Sequence, residues 1–170
     1  MSTTVMIEKV FLTGSRARSA LAAWAPIPLR LIVGYGFIEH GLAKMFRGPD
    51  VFAAILRALG VPAPHFMAWV SILIELLGGL AVLLGGFVTL ASIPMAMLLL
   101  VAIFTVHLPN GFSSVKLVAV TALGPQFGPV GYEIDLLYLA CLAALVFMGG
   151  AGPFSLDSLL QKRARRRVAC

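Results

Sequence analysis

The chain has 170 residues, of which 60% are hydrophobic and only 12% are charged. A soluble domain of this length is roughly half apolar and about a quarter charged, so this composition excludes an ordinary soluble domain and predicts a polytopic membrane protein. The net charge of +6 comes from basic residues near the two ends of the chain, which is typical of cytoplasmic flanks and not of a nucleic-acid-binding surface.

An apolar run that begins near residue 21 predicts the first membrane-spanning helix, over residues 25–44. The run continues to about residue 46, well beyond the short apolar core of a signal peptide, so we expect an uncleaved helix. Pro26 and Pro28 suit its first turn, where their missing N–H groups are not needed. Residues 1–21 before it are expected to form a cytoplasmic flank, as an interfacial helix or a mobile tail.

Four ionisable side chains fall within this first helix, namely Arg30, Glu39, His40 and Lys44. Arg30 and Lys44 lie near its two ends, where long side chains can reach the lipid headgroups, and Arg30 is predicted to be such an interface anchor. Glu39 has a shorter side chain, and an ionisable group inside the hydrocarbon is by default a sign of function. His40 and Lys44 are four residues apart and share a face that Glu39 does not, so partners on other helices are expected.

The segment RGPDVFAAILRALGVPAPHF predicts a short amphipathic helix, beginning at Pro49 and ending before Gly60. About ten residues cannot span a bilayer, so this helix is expected to lie in the membrane plane on the outer surface, where its apolar face could equally cap the bundle. A second spanning helix follows over residues 65–85, with Glu75 near its middle. A carboxylate at that depth cannot reach water, which makes Glu75 a functional candidate.

The third spanning helix is predicted over residues 90–107, where His107 precedes the stop signal LPNGF. Residues 112–132 are rich in glycine and proline, so they do not span, and residues 115–122 are expected to form an extended stretch or a hairpin. The fourth helix, over residues 132–148, opens with Glu133 and Asp135, which favour the dipole of a helix N-terminus. A short final helix is predicted to start near residue 155, before a basic cluster.

Four spans place both chain ends on one side of the membrane, and the excess of basic residues there predicts that this side is the cytoplasm. Arg163 and Arg165 of the basic tail are predicted to be interface anchors, and such a tail can also hold the anionic leaflet. The expected organisation is a flank over residues 1–21, a four-helix transmembrane domain over residues 22–152 and a cytoplasmic tail over residues 153–170.

With this topology, ionisable residues from all four helices converge on the outer half of the bundle. Convergence from four helices is what a site inside a helical bundle requires, so we predict a polar pocket there. No Glu-x-x-His pair occurs, so no metal ligands are predicted, and the residue types favour exchange of protons beside His40. The candidates for the pocket are Glu39, His40, Lys44, Glu75, His107 and Glu133.

Several motifs, in this order, resemble the DoxX family: GFIEHGLAKMF in the first helix, LGVPAP after the amphipathic helix, IELLGGLAVLLG, HLPNGF, and the closing GYEIDLLYLACLAALVFMGGAGPFSLD. The resemblance covers residues 25–160. Its motifs match at Arg30, Glu39, Gly41, Lys44, Glu75, Glu133 and Asp157.

The resemblance implies a four-helix integral protein of the bacterial inner membrane. The family takes its name from a small subunit of a thiosulfate:quinone oxidoreductase, which implies quinone as a cofactor and an oxidoreductase subunit as a partner. The two cysteines, Cys141 and Cys170, form no C-x-x-C pair, which argues against disulfide exchange. A subunit or accessory of a quinone-linked system is therefore the preferred interpretation. A small proton-coupled transporter, a membrane anchor for a soluble enzyme and a homo-oligomer stay open.

Overall fold

The computed structural model describes residues 21–149 and 152–168, so almost all of the predicted N-terminal flank lies outside the described residues. The described part is mostly helical, with one short hairpin. In chain order its elements are α1 Pro26–Arg47, α2 Pro49–Ala58, α3 Pro64–Leu84, α4 Val88–Asn110, β1 Leu117–Thr121, β2 Gly124–Phe127, α5 Glu133–Phe147 and α6 Leu156–Val168.

Proline and glycine set the ends of the first helices, as the sequence predicts. Pro26 and Pro49 lie in the first turns of α1 and α2. Gly48, between the two helices, has a φ of 98°, a value that side-chain-bearing residues rarely adopt, so it permits the sharp turn that separates them. The predicted amphipathic helix between the first two long helices is thus confirmed as α2.

Each of the two long apolar helices contains a π-helical turn. In α3 the π-helical segment Ile74–Gly78 lies between the α-helical segments Pro64–Leu73 and Gly79–Leu84. In α4 the π-helical segment is Ile103–His107, at the end of the α-helical part. Each π turn contains one of the candidate site residues, Glu75 and His107 respectively, and such turns are frequent at functional sites.

The glycine-rich connection after α4 forms an antiparallel hairpin, which confirms the predicted extended stretch. Leu117 pairs with Phe127 and Thr121 pairs with Gly124, with an irregularity in the register between Leu117 and Ala119. The two ends of this connection are joined by a hydrogen bond. The side chain of Asn110, at the end of α4, donates to the carbonyl of Val130 over 3.1 Å.

Four helices surround one core. α1 contacts α3 and α5, and α4 contacts the same two helices. Between α1 and α3 the approach is close, because Gly34 faces Gly79 and a Cβ atom at either glycine would lie 2.8 Å from the carbonyl oxygen of the other. The buried side chains that form the core are Val33, Phe37, Val82, Val88, Met95, Leu99, Leu142 and Leu145.

Contacts between helix ends show that neighbouring helices run in opposite directions. At one end, which we call the base, Arg30 near the start of α1 contacts Leu83 near the end of α3. At the other end, which we call the top, His107 near the end of α4 contacts Asp135 at the start of α5. The base also receives the start of α6, while the hairpin lies at the top.

The outer surface of these four helices is strongly apolar, which is unusual for a soluble protein and suits contact with lipid. α3 and α4 are each long and apolar enough to cross a membrane. α1 has 22 residues but carries several charges, and α5 has 15 residues. The four-span arrangement therefore stays a prediction. Exposed large side chains on the four helices include Leu31, Ile32, Leu73, Leu77, Ile93, Met97 and Leu137.

Candidate functional site

A buried ion pair joins α1 to the middle of α3. The Lys44 ammonium group donates hydrogen bonds to Oε1 of Glu75 over 2.6 Å and to Oγ of Ser71 over 3.0 Å. Ser71 and Glu75 are four residues apart, so they lie on the same face of α3. The Lys44 nitrogen also lies 4.4 Å from the centre of the Phe52 ring, a cation–π contact that brings α2 to the site.

Burial makes this pair unusual, since the Glu75 side chain is 5% exposed and that of Lys44 is 22% exposed. Within the described residues, Oε2 of Glu75 is buried and has no hydrogen-bond partner. A buried polar atom without a partner is rare in native structures and suggests a role other than packing. The carboxylate therefore has one oxygen held by Lys44 and one oxygen available to a hydrogen-bond donor.

Glycines allow α1 to come this close to the carboxylate. A Cβ atom at Gly41 would lie 2.8 Å from the side chain of Leu76 and 3.1 Å from Cβ of Glu75. On the α4 side of the same π turn, a Cβ atom at Gly78 would lie 2.9 Å from the side chain of Met95. The π turn that carries Glu75 is thus packed between α1 and α4 through two glycines.

A second polar pair lies at the top, between α4 and α5. Nδ1 of His107 contacts Oδ2 of Asp135, whose side chain is 10% exposed. The neighbouring Glu133 accepts a hydrogen bond from the backbone N–H of Ser114 over 2.9 Å, and so holds the loop before the hairpin to the start of α5. The sequence related both acidic residues to the helix dipole and also placed Glu133 in the predicted pocket, and only the structure shows that each one bonds to a separate partner.

The predicted pocket residues thus fall into two clusters in the described part of the chain. Lys44 and Glu75 meet, whereas His107 and Glu133 each make other contacts. Glu39 and His40 are exposed on α1. Glu39 lies one turn after Tyr35, and His40 lies one turn before Lys44 on the same face of α1. No hydrogen bond within residues 21–149 and 152–168 joins the two clusters, and a single pocket that includes them all stays a prediction.

Arg30 does not extend along the surface as an interface anchor would, because it is buried at 5% exposure. Its guanidinium group donates to the carbonyl oxygens of Val82 over 3.2 Å, Leu83 over 2.8 Å and Phe154 over 3.4 Å. The last carbonyls of a helix lack partners within the helix, and the fork of an arginine satisfies several of them at once. Arg30 therefore joins the base of α1 to α3 and to the segment before α6.

The other two predicted interface anchors lie on the surface of the final helix. Arg163 and Arg165 are exposed on α6. Among the described residues, no group of three or more His, Cys, Asp and Glu side chains could hold a metal ion. A crevice of about 390 Å³ runs between α3 and α4, and the residues that line it are Leu73, Ile74, Leu77, Gly78, Phe87, Leu90, Ala91 and Pro94.

Sequence reasoning missed two residues of these clusters. Ser71 accepts a hydrogen bond from the same Lys44 ammonium group as Glu75. The sequence signal for Ser71 is its hydroxyl group, one helical turn before the Glu75 carboxylate. Asp135 contacts His107. The sequence signal for Asp135 is its charge, because few acidic residues occur in the apolar part of the chain. Neither signal identifies its partner, because the partner lies on another helix.

Comparison with known proteins identifies the family. The family model described as DoxX matches residues 25–108, from α1 through most of α4. An uncharacterized membrane protein of Mycobacterium tuberculosis is 30% identical over 165 residues, which cover 90% of this chain and 95% of that protein. The chain belongs to the DoxX family. The family resemblance seen in the sequence is confirmed, and the chain is a membrane protein of this family.

Other relatives add little about activity. An uncharacterized protein of Haemophilus influenzae is 31% identical to this DoxX chain over 137 residues, 79% of the chain and 90% of the relative. A Bacillus subtilis protein named "Putative oxidoreductase CatD" is 38% identical over 84 residues, 49% of the chain and 60% of CatD. No solved structure matches the chain.

Proposed function

We propose that this DoxX protein is a subunit or accessory of a quinone-linked oxidoreductase system in a bacterial inner membrane. The observation that carries the proposal is the Glu75 carboxylate, which is buried in a π turn with Oε1 on Lys44 and Oε2 without a partner in the described chain. The name of the Bacillus subtilis relative, "Putative oxidoreductase CatD", supports a redox role.

The chemistry of quinones suits this site, because their reduction takes up protons together with electrons. A hydroquinone O–H can donate a hydrogen bond to Oε2 of Glu75, and the neighbouring Lys44 ammonium donates to Oε1 and so orients the carboxyl group. The apolar crevice between α3 and α4 includes Gly78, three residues after Glu75 in the same π turn, and offers a surface for an apolar tail. A hydrogen bond to a charged group stabilises binding by about 1.5–3 kcal/mol, which corresponds to about 10- to 100-fold in affinity.

The test is retention of quinone by the purified protein in nanodiscs, with binding of added ubiquinol or menaquinol, whose O–H groups can donate to Oε2, measured by anaerobic equilibrium titration. We expect Glu75→Gln to weaken binding about 10- to 100-fold. Glu39→Gln is the matched control, because it neutralises an exposed carboxylate on α1, and we expect it to leave quinone affinity unchanged. Absence of bound quinone in every preparation, with no redox change on addition of a reductant, would refute the proposal.

The placement of His40 one turn before Lys44, the partner of Glu75, favours a second candidate, a proton-coupled transporter. Glu39 and His40 are exposed on the half of α1 nearest the top, and they precede the buried Lys44–Glu75 pair along the helix. This candidate predicts pH-dependent solute flux in proteoliposomes that Glu39→Gln abolishes. Flux that persists unchanged in Glu39→Gln would reject it, while the quinone titration is indifferent to that substitution.

We also propose that α1, α3, α4 and α5 all cross the membrane, with residues 22–152 as the membrane domain and both chain ends in the cytoplasm. Eight of the 13 basic residues belong to residues 1–21 and 153–170, which supports this orientation. In intact cells, an impermeant thiol reagent should fail to label Cys170. The same reagent should label Val120→Cys in a cysteine-free background, because Val120 is 74% exposed on the hairpin. The reverse pattern would invert the topology.

A further inference from the structure

The start of α6 is fixed to the base of the helix group. The Asp157 carboxylate accepts a hydrogen bond from the backbone N–H of Phe87 over 3.1 Å, and its own N–H donates to the carbonyl of Gly85 over 3.2 Å. Leu156 packs on Gly86 in the same turn, where a Cβ atom would lie 3.2 Å from the leucine side chain. α6 therefore begins at the turn between the two candidate spans, at the level where those spans end.

The first turn of α6 is also well capped. Oγ of Ser155, which is 2% exposed, accepts a hydrogen bond from the backbone N–H of Ser158 over 3.1 Å, as an N-cap residue does. The Ser158 hydroxyl donates back to the carbonyl of Ser155 over 2.9 Å. Because the first turn of α6 is fixed and capped, the direction of the helix is defined, and so is the side to which each of its later residues faces.

One face of α6 carries first apolar and then cationic side chains. Leu159, Leu160 and Arg163 follow Leu156 at intervals of three, four and seven residues, so all four share this face. Because Leu156 packs on Gly86, the face is turned toward the base and the lipid around it. Leu159 and Leu160 are nevertheless 54% and 50% exposed, so the described part of the protein leaves most of this apolar face uncovered.

The basic residues of α6 indicate that an anionic surface covers its apolar face. The described residues 161–166 are all exposed and include Lys162, Arg163, Arg165 and Arg166. Asp157 is the single acidic residue in the α6 sequence, and its carboxylate is bonded to Phe87. Each basic residue near an anionic leaflet raises the ratio of membrane-bound to free segment about fivefold, whereas a neutral leaflet offers no such attraction.

We propose that α6 lies in the plane of the membrane at the base, with its leucine face in the headgroup region of an anionic leaflet and its cations on lipid phosphates. The observations that carry this are the helix start held at the span-to-span turn, the exposed leucines beside it and the one-sided charge. The occupant of the face is thus anionic phospholipid. The proposal depends on the membrane setting of the chain and is independent of any quinone.

The experiment uses the full chain in nanodiscs of phosphatidylcholine alone or with 30% phosphatidylglycerol. An environment-sensitive fluorophore is attached to Leu159→Cys in a Cys141→Ala, Cys170→Ala background, with spin-labelled lipids as quenchers. We expect strong quenching in the anionic discs only. Gln161→Cys, on the opposite face of α6, is the matched control and should be quenched weakly. Equal quenching at both positions would overturn the in-plane orientation.

The charge dependence has its own measurements. Substitution of Arg163 by glutamine should lower the ratio of membrane-bound to free α6 about fivefold, whereas substitution of Arg165, which lies on the opposite face, should lower it less. In the unsubstituted tail, raising the salt from 0.05 to 0.5 M should release α6, since exposed charges are screened. Quenching that is insensitive to lipid charge, to salt and to these substitutions would overturn the proposal. Quenching that requires an added acidic protein or nucleic acid would overturn it in favour of that partner.

Discussion

Removing the lysine from the Lys44–Glu75 pair tests whether the pair organises the interface between α1 and α3. The substitution Lys44→Met keeps the length of the side chain and deletes the charge that Glu75 faces at 2.6 Å. Breaking a buried ion pair from one side costs about 3–5 kcal/mol, because the remaining charge is left without a partner. Lys44 is 22% exposed, so we expect the low end, about 3 kcal/mol of unfolding free energy.

A double-mutant cycle separates the pair from the packing around it. In Lys44→Met with Glu75→Met, apolar side chains of similar length replace both charges, and such replacements are often neutral or stabilising. We therefore expect the double variant to lie within about 1 kcal/mol of the parent and the coupling energy to be about 2 kcal/mol or more. That value clearly exceeds the average of about 0.6 kcal/mol for hydrogen bonds between membrane helices.

The assay is equilibrium unfolding in mixed micelles by titration with dodecyl sulfate, followed by helical circular dichroism. Glu39→Gln is the control, since an exposed carboxylate on the same helix should change the unfolding free energy by less than about 0.5 kcal/mol. The reasoning fails if Lys44→Met is as harmless as the control, or if the two single effects simply add in the double variant.

Three further single substitutions and one double variant test contacts elsewhere in the fold with the same unfolding measurement. Arg30→Met should cost about 2–3 kcal/mol, because it removes hydrogen bonds to helix-end carbonyls, and a loss below about 0.5 kcal/mol would contradict that role. Gly34→Ala should cost about 1–3 kcal/mol despite a helix-propensity gain of about 1 kcal/mol, since its Cβ would lie 2.8 Å from the backbone of α3, and a stabilised variant would refute the close approach. Asp135→Ala should cost about 1.5 kcal/mol by releasing His107, and His107→Ala in that background should then add little if the two residues act together.

Local signals in the sequence identified most of the helices and the hairpin. Proline at the start of α1 and α2, and glycine after them, act on the backbone of the residues themselves, so no other part of the chain is needed to interpret them. The same holds for the glycine- and proline-rich connection, which could not continue a helix and forms the hairpin. Neither π turn was predicted, because it depends on how a helix packs against its neighbours.

The sequence by itself determined which residues carry charge within apolar helices and how far along each helix they lie. Those facts follow from composition and from the fixed rise per residue. Only the tertiary structure decided which way each side chain points around its helix axis, because that depends on the packing of neighbouring helices. Lys44 thus meets Glu75, while Glu39 and His40 stay exposed. Arg30 is buried because the last carbonyl groups of α3 lie beside it and accept its hydrogen bonds.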